Sequence, residues 1–326
     1  MSSKRTIFQV NGKPFIAIVG EAHNSSSSNA EYMLGVWEKA HEQGLNTLLL
    51  PVSWELIEPT EGQFDFKLVD DIIVQAREKD MHLIFLWFGF WKYAAPSIDV
   101  FCPDIYVHNF LEICDSYTKL DNPLFIPETS IHSHCAPRLV YCIGHYHAAC
   151  FAPFGFEEMG EPFSNTMGAL FGMDVNDPLL STPQNVSEFR FCCNTIRNMM
   201  DLIAERYGTD DLQAAMAENT TKGADTMLFG EYGFQIITEH PYMSRKDGVC
   251  LILRADENTF YLLGNGCIIN YFSTDSQKPN CDIISLDEGH FENGRWINGR
   301  RLNGDESAMV SFDHFGLLKL KVFNYT

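Results

Sequence analysis

Short apolar runs that are hydrophobic at nearly every position recur along the first 208 residues, and most are followed by a segment of helical periodicity. Phe15 to Gly20 is the first such run, and a stretch that is apolar on both faces reads as a strand covered from both sides. Ser28 and Glu31 stand in capping-box spacing, and Met33, Val36, Trp37 and Ala40 follow on one helical face until Gly44. Thr47 to Val52 is the second run, Val69, Ile72, Ile73 and Ala76 mark the next helix, and Met81 to Phe88 is the third run. Further strands are expected over Ile98–Ile105, Leu124–Pro127 and Cys150–Phe154. Between them run helical faces with Phe110, Ile113, Cys114 and Tyr117, then with Leu139, Cys142, Ile143 and Tyr146. A long helix is expected from Val186 to Tyr207. Repeated strand–helix units with doubly covered strands point to a parallel α/β architecture, most simply a (β/α) barrel of the TIM type.

One junction conflicts with that plan. Only Lys92 to Ser97 separate the third run from the fourth, whereas parallel neighbours need a crossover of about a dozen residues or more. The segment holds about six strands where a closed barrel has eight, in fewer residues than the roughly 250 usual for one. The barrel is therefore expected to be incomplete, with a deletion near residues 91–92. Beyond Gly208 the pattern changes to short alternating runs: Gly233–Thr238, Val249–Arg254, Thr259–Gly264, Cys267–Phe272 and Leu317–Phe323. Arg254 to Thr259 has the composition of a hairpin connection. The expected organisation is a barrel-like domain over 1–208 and a small antiparallel β-sandwich over 209–326.

Composition narrows the partners. The charge count of 23 basic against 43 acidic side chains, a net −20, repels phosphate backbones and anionic lipid, so neither nucleic acid nor a membrane surface is expected as a partner. No stretch of about 18 apolar residues is present. Ten cysteines between Cys102 and Cys281 contain no Cys-x-x-Cys pair, and no apolar leader follows Lys4-Arg5, which together read as a cytoplasmic protein with reduced thiols. His132, His134, Cys135, His145, His147 and Cys150 are close in sequence, but their spacing fits no common zinc pattern. Neither a metal nor another cofactor is expected. A homo-oligomer is compatible with the sequence, which does not specify one.

Catalytic groups of a parallel barrel sit at the C-terminal ends of its strands. Those ends hold Glu21, His23 and Asn24, then Trp54, Glu55 and Glu58, then Trp87 and Trp91. The later ends hold Asp104 and Tyr106, then Glu128, then Phe154, Glu157 and Glu158. Carboxyls beside indole and phenol rings suit a sugar, which presents apolar C–H faces and many hydroxyls, and glycoside cleavage needs two carboxyls.

Specific motifs sharpen this. Gly20-Glu21-Ala22-His23-Asn24-Ser25-Ser26-Ser27 and the run from Pro51 to Phe66, with Trp54-Glu55 and Glu58-Pro59-Thr60-Glu61-Gly62, resemble the clan A β-galactosidases of families 35 and 42. Ala95 to Asp99, Pro103-Asp104-Ile105-Tyr106 and Asn122 to Glu128 are similar to later barrel strands of the branch with a C-terminal β-domain of unassigned role. Asn293-Gly294-Arg295-Trp296 and Arg300 to Asp305 resemble that C-terminal domain. The resemblance implies a retaining glycosidase acting on β-galactosides or related β-glycosides. It implies Glu128 as the nucleophile, against the plain alternative of a helix cap or a partner of Arg138. It also implies His23, Asn24, Trp54, Glu55, Trp87, Asp104 and Tyr106 as carbohydrate contacts. The acid/base glutamate of the family, in an Asn-Glu pair, has no counterpart in the barrel part. Glu21 and Glu55 are the carboxyls left that could substitute. Impaired hydrolysis is therefore expected, and a non-catalytic carbohydrate-binding remnant or a truncated gene product is the competing reading.

Overall fold

The computed structural model describes residues 7–87, 102–106, 109–118, 122–131, 134–161, 165–171, 183–219, 223–243 and 245–326. The chain divides into two compact units, one of Ala17–Cys135 with Ala149–Asn194 and the other of Met1–Ile16, Ala136–Ala148 and Thr195–Thr326. The second opens with an antiparallel pair, β1 (Gln9–Val10) and β2 (Lys13–Pro14).

The first unit is built on β3 (Ala17–Glu21), β4 (Thr47–Val52), β5 (His82–Trp87), β6 (Asp104–Ile105), β7 (Phe125–Thr129) and β8 (Cys150–Pro153). All pair in parallel, in the order β5-β4-β3-β8-β7-β6. Every residue of β3, β4 and β8 is buried, which is why these runs are apolar without alternation. Asn46 ties β3 to β4, its Oδ1 accepting from Ile18 N–H at 2.9 Å and from the Thr47 hydroxyl at 2.9 Å. Among the described residues β5 and β6 are the two edges and do not pair with each other, so this six-stranded (β/α) sheet is an open, incomplete barrel. The expected deletion at 91–92 lies outside the described residues.

Helix α1 (Tyr32–Glu42) buries Met33, Val36, Trp37 and Ala40, the face expected from its period. Its start differs from expectation: Asn29, not Ser28, supplies the cap, its Oδ1 accepting from Glu31 N–H at 2.8 Å and Tyr32 N–H at 3.0 Å. Ser26–Ser28 form a turn of 3₁₀-helix instead, so the Ser28–Glu31 spacing is one residue out of place for a capping box. After the short α2 (Trp54–Ile57), α3 (Lys67–Glu78) buries Ile72 and Ala76, and its Gln75 accepts from the Trp37 indole N–H at 2.7 Å. Helix α4 (Phe110–Tyr117) buries Phe110 and Cys114, with the Phe110 ring edge-on to Phe151 of β8. Next come α5 (Cys135–Tyr141), running into a π-helical turn at Cys142–Tyr146, then α6 (Asn165–Phe171) and α7 (Pro183–Asn198). The single long helix expected to Tyr207 is broken at Met199, beyond which α8 (Met200–Arg206) begins.

In the second unit β9 (Leu212–Met216), β10 (Ala224–Phe229), β11 (Tyr232–Ile237), β12 (Val249–Arg254), β13 (Thr259–Asn265) and β14 (Cys267–Ser273) are followed by β15 (Asn280–Glu292), β16 (Arg295–Leu302), β17 (Val310–Phe312) and β18 (Gly316–Tyr325). They form antiparallel sheets ordered β10-β11-β14-β17 and β16-β15-β18-β13-β12-β9. Phe229, Phe234 and Ile269 of the smaller sheet meet Phe260, Leu262 and Leu320 of the larger in one buried cluster, a β-sandwich. The expected strands are present, and β9, β10, β15, β16 and β17 join them. β15 and β16 escape detection by alternation because few of their residues are buried, and their pairing is carried by the tight turn Asn293-Gly294, both with positive φ.

Candidate active site

The parallel sheet carries three carboxyls, on β3, β6 and β7. Glu21 is the last residue of β3, and Asp104 of β6 lies opposite Glu128 of β7. The backbone around them is tied strand to strand: Phe154 N–H donates to Thr129 O at 2.8 Å, Gly155 N–H to Glu21 O at 2.7 Å, and the Thr129 hydroxyl to Ile105 O at 2.8 Å. Tyr106, just past β6, donates its hydroxyl to Glu128 Oε1.

Glu21 is only 1% exposed, and its Oε2 has no hydrogen-bond partner within the protein. Burial, followed by the nearby Glu128 and Asp104 charges, pushes its carboxyl up from 4.5 to about 9. Glu128 is also raised by burial and by Asp104, while the hydrogen bonds from Tyr106 and Glu21 pull it back down. Burial and the hydrogen bond to Glu128 raise Tyr106 further, so its phenol stays a donor. Burial and like charges thus favour the neutral form of Glu21, while the Tyr106 hydroxyl favours the ionised form of Glu128.

His23 stands two residues past the end of β3. Its ring stands edge-on to Phe154 at 5.1 Å, and its Nε2 is 3.2 Å from Glu158 Oε2. Glu157 is buried, accepts from the Ser26 hydroxyl, and has its carbonyl held by Lys39 Nζ at 2.5 Å. Gly155 makes this packing possible. Its φ is +65°, and a Cβ there would come 2.8 Å from the imidazole. Gly155→Ala is therefore expected to cost about 1–3 kcal/mol, from backbone strain plus displacement of His23. Urea unfolding that placed the variant within about 0.3 kcal/mol of wild type would contradict this account.

The structure thus gathers Glu21, Asp104, Tyr106 and Glu128, and places His23 against Phe154 and Glu158. Asn24 is exposed. The side chains of Trp54, Glu55 and Trp87 lie outside the described part, as do Trp91 and His132. Glu58 accepts from Gly62 N–H at 2.6 Å, a turn-closing role. Arg138 pairs with Glu218 at 3.3 Å. The histidines and cysteines close in sequence have other partners: His147 Nε2 lies 3.1 Å from Leu212 O, His145 stacks on Tyr141, and the Cys135 thiol donates to Ser130 O at 2.9 Å. Ser26 was not singled out in the sequence, where it is one of four consecutive serines.

Carboxyls and a phenol at the C-terminal ends of parallel (β/α) strands are an arrangement of the kind glycoside cleavage uses. Residues 7–86 match the family model described as Glycosyl hydrolases family 35, and residues 194–312 match a domain of unknown function (DUF5597). A β-galactosidase of Xanthomonas manihotis is 37% identical over 73 residues, which are 22% of this chain. The match spans 12% of that protein's length. The matched N-terminal segment thus lies in the same region as the motifs that resemble the clan A β-galactosidases. Among solved structures, the chain is similar to a family 39 glycoside hydrolase from the gut symbiont Bacteroides cellulosilyticus WH2, with a TM-score of 0.43, 7% identity and coverage of 95% of this chain and 83% of the other. It is also similar to a family 5 glycoside hydrolase from Bacteroides vulgatus ATCC 8482, with a TM-score of 0.47, 11% identity and coverage of 98% and 92%.

Proposed function

We propose that this chain is a glycoside hydrolase of the retaining β-galactosidase type, impaired in hydrolysis, with Glu128 as its nucleophile. The supporting observation is the setting of Glu128: a strand-end carboxyl that accepts a hydrogen bond from the Tyr106 hydroxyl. Its carboxylate would attack the anomeric carbon as the glycosidic oxygen leaves with the bonding pair, giving a glycosyl ester on Glu128. A retaining enzyme then needs a second carboxyl about 5–5.5 Å away, first to protonate the leaving oxygen and then to activate water. Glu21 is only 1% exposed, closed to a glycosidic oxygen and to water, so it does not fill that second role. Ordinary galactosides, whose leaving groups need a proton, should therefore turn over slowly or not at all.

A dinitrophenyl 2-fluoro-β-galactoside removes that requirement, because its leaving group departs without acid assistance. Intact-mass analysis is expected to show the gain of one fluorosugar in the wild type and none in Glu128→Gln. No gain in either protein would favour the competing reading, a carbohydrate-binding remnant, and normal turnover of lactose would overturn the proposed impairment.

A further inference from the structure

We infer that the outward face of the smaller sheet of the β-sandwich binds a neutral saccharide, with Phe272 as the platform for a sugar ring. The face belongs to the second unit, and the inference does not depend on the reading of Glu128. In this sheet Phe229, Phe234 and Ile269 face the buried cluster, so their alternate neighbours on β10, β11, β14 and β17 face outward. None of those outward residues is charged, in a chain that carries 43 acidic and 23 basic side chains. A face without charge suits an uncharged ligand and offers nothing to an anionic one.

Two cross-strand rows build the site. In the first, Leu228, Gly233 and Phe272 stand side by side on β10, β11 and β14. The tip of the Phe272 ring lies over Gly233, where a Cβ would collide with three ring atoms. Glycine thus lets the ring lie down across β11 with one side toward the sheet and the other toward solvent. Phe272 is 39% exposed and Leu228 55%, an apolar surface for the C–H face of a sugar. In the second row, Thr226, Gln235 and Asn270 stand side by side, and Asn270 Nδ2 donates to Gln235 Oε1 at 3.3 Å. That bond orients both carboxamides and leaves Gln235 Nε2 as a donor and Asn270 Oδ1 as an acceptor, a pair that neighbouring hydroxyls match. Asn270 and Phe272 are successive outward residues of β14, about 7 Å apart along the strand, so a ring stacked on Phe272 has its hydroxyls within reach of the amides. Size selects this occupant over a protein. Four strands about 4.8 Å apart and about six residues long make a face of roughly 14 Å by 20 Å, about 300 Å². A stable protein interface takes about 800 Å² from each partner, whereas a short run of sugar residues fits the smaller area.

The test is isothermal titration calorimetry of the full chain with cellotetraose, β-1,4-galactotetraose and, as the charged control, tetragalacturonate. Wild type should bind at least one of the two neutral chains. Phe272→Ala should weaken that binding by about fivefold or more, and Phe272→Tyr, which keeps a ring, should stay within about twofold of wild type. Asn270→Ala, at an exposed position that leaves the fold intact, should weaken it a few-fold and carries the test if Phe272→Ala does not fold. Glu128→Gln should bind as wild type does, which keeps the result apart from the fate of the nucleophile reading. No binding of either neutral chain by the wild type, or tetragalacturonate bound as tightly as they are, would overturn the inference. So would binding that survives both Phe272→Ala and Asn270→Ala, or that disappears in Glu128→Gln. A wild-type dimer in sedimentation equilibrium that Phe272→Ala dissociates would also overturn it, making the face a contact between copies of this chain.

Discussion

Raising the pH from about 5 to 9 is expected to lower the stability of the wild-type protein, and Glu21→Gln is expected to remove much of that loss. Glu21 titrates near 4.5 when unfolded and near 9 when folded. Between those values the native state holds a proton that the unfolded state has released. Stability therefore falls with rising pH, by up to about 1.4 kcal/mol per pH unit. The contribution is fully present below the unfolded value and lost as pH rises through the folded one. Part of the shift comes from the Glu128 and Asp104 charges, which titrate as well, so the slope attributable to Glu21 is a fraction of that limit. At about 2–4 °C per kcal/mol for a domain of this size, a drop in Tm on the order of 5 °C between pH 5.5 and 8.5 should be specific to the wild type. The other carboxyls titrate in both proteins and cancel in the difference between the two curves. Parallel Tm curves for wild type and Glu21→Gln across this range would show that the Glu21 carboxyl is not held neutral.

A second large effect belongs to the β-sandwich. Phe260 of β13 is fully buried and meets three rings of the facing sheet: Phe229 at 5.7 Å, Tyr232 at 5.7 Å and Phe234 at 4.7 Å. It is a principal aromatic bridge between the sheets, and Phe260→Ala would leave a void lined by rings fixed on two separate frameworks that cannot easily close on it. The expected cost is about 3–5 kcal/mol, a large part of the roughly 5–15 kcal/mol that holds a typical domain folded. Phe260→Leu should recover part of it. Urea titration followed by near-ultraviolet circular dichroism checks both variants, and a loss below about 1 kcal/mol for Phe260→Ala would mean that Phe260 does not bridge the sheets.

The doubly buried strands show how far sequence reading reaches. Ala17–Glu21, Thr47–Val52 and Cys150–Pro153 were legible because a strand covered on both faces is apolar without interruption. The buried face of α1 was legible because helical geometry repeats every 3.6 residues. The cap of α1 was misread because Ser28 and Asn29 are both competent capping residues, and which one turns toward the free N–H groups depends on the preceding 3₁₀ turn. β15 and β16 carry no clean alternation because much of both faces meets water, so only their turn marks them.

The same division runs through the site. Local sequence determined that Glu21, Asp104, Tyr106 and Glu128 stand at strand ends, since the end of an apolar run is a property of neighbouring residues. Only the tertiary structure decided that Asp104 lies opposite Glu128, that Tyr106 donates to Glu128, and that Glu21 is sealed from solvent. Those contacts depend on the strand order β3-β8-β7-β6, in which β8, the last in sequence, inserts beside β3, the first. Periodicity reports how one segment faces its surroundings. Which segment faces it across the sheet, and hence which carboxyl must keep a proton, follows from non-local pairing that no window of sequence contains.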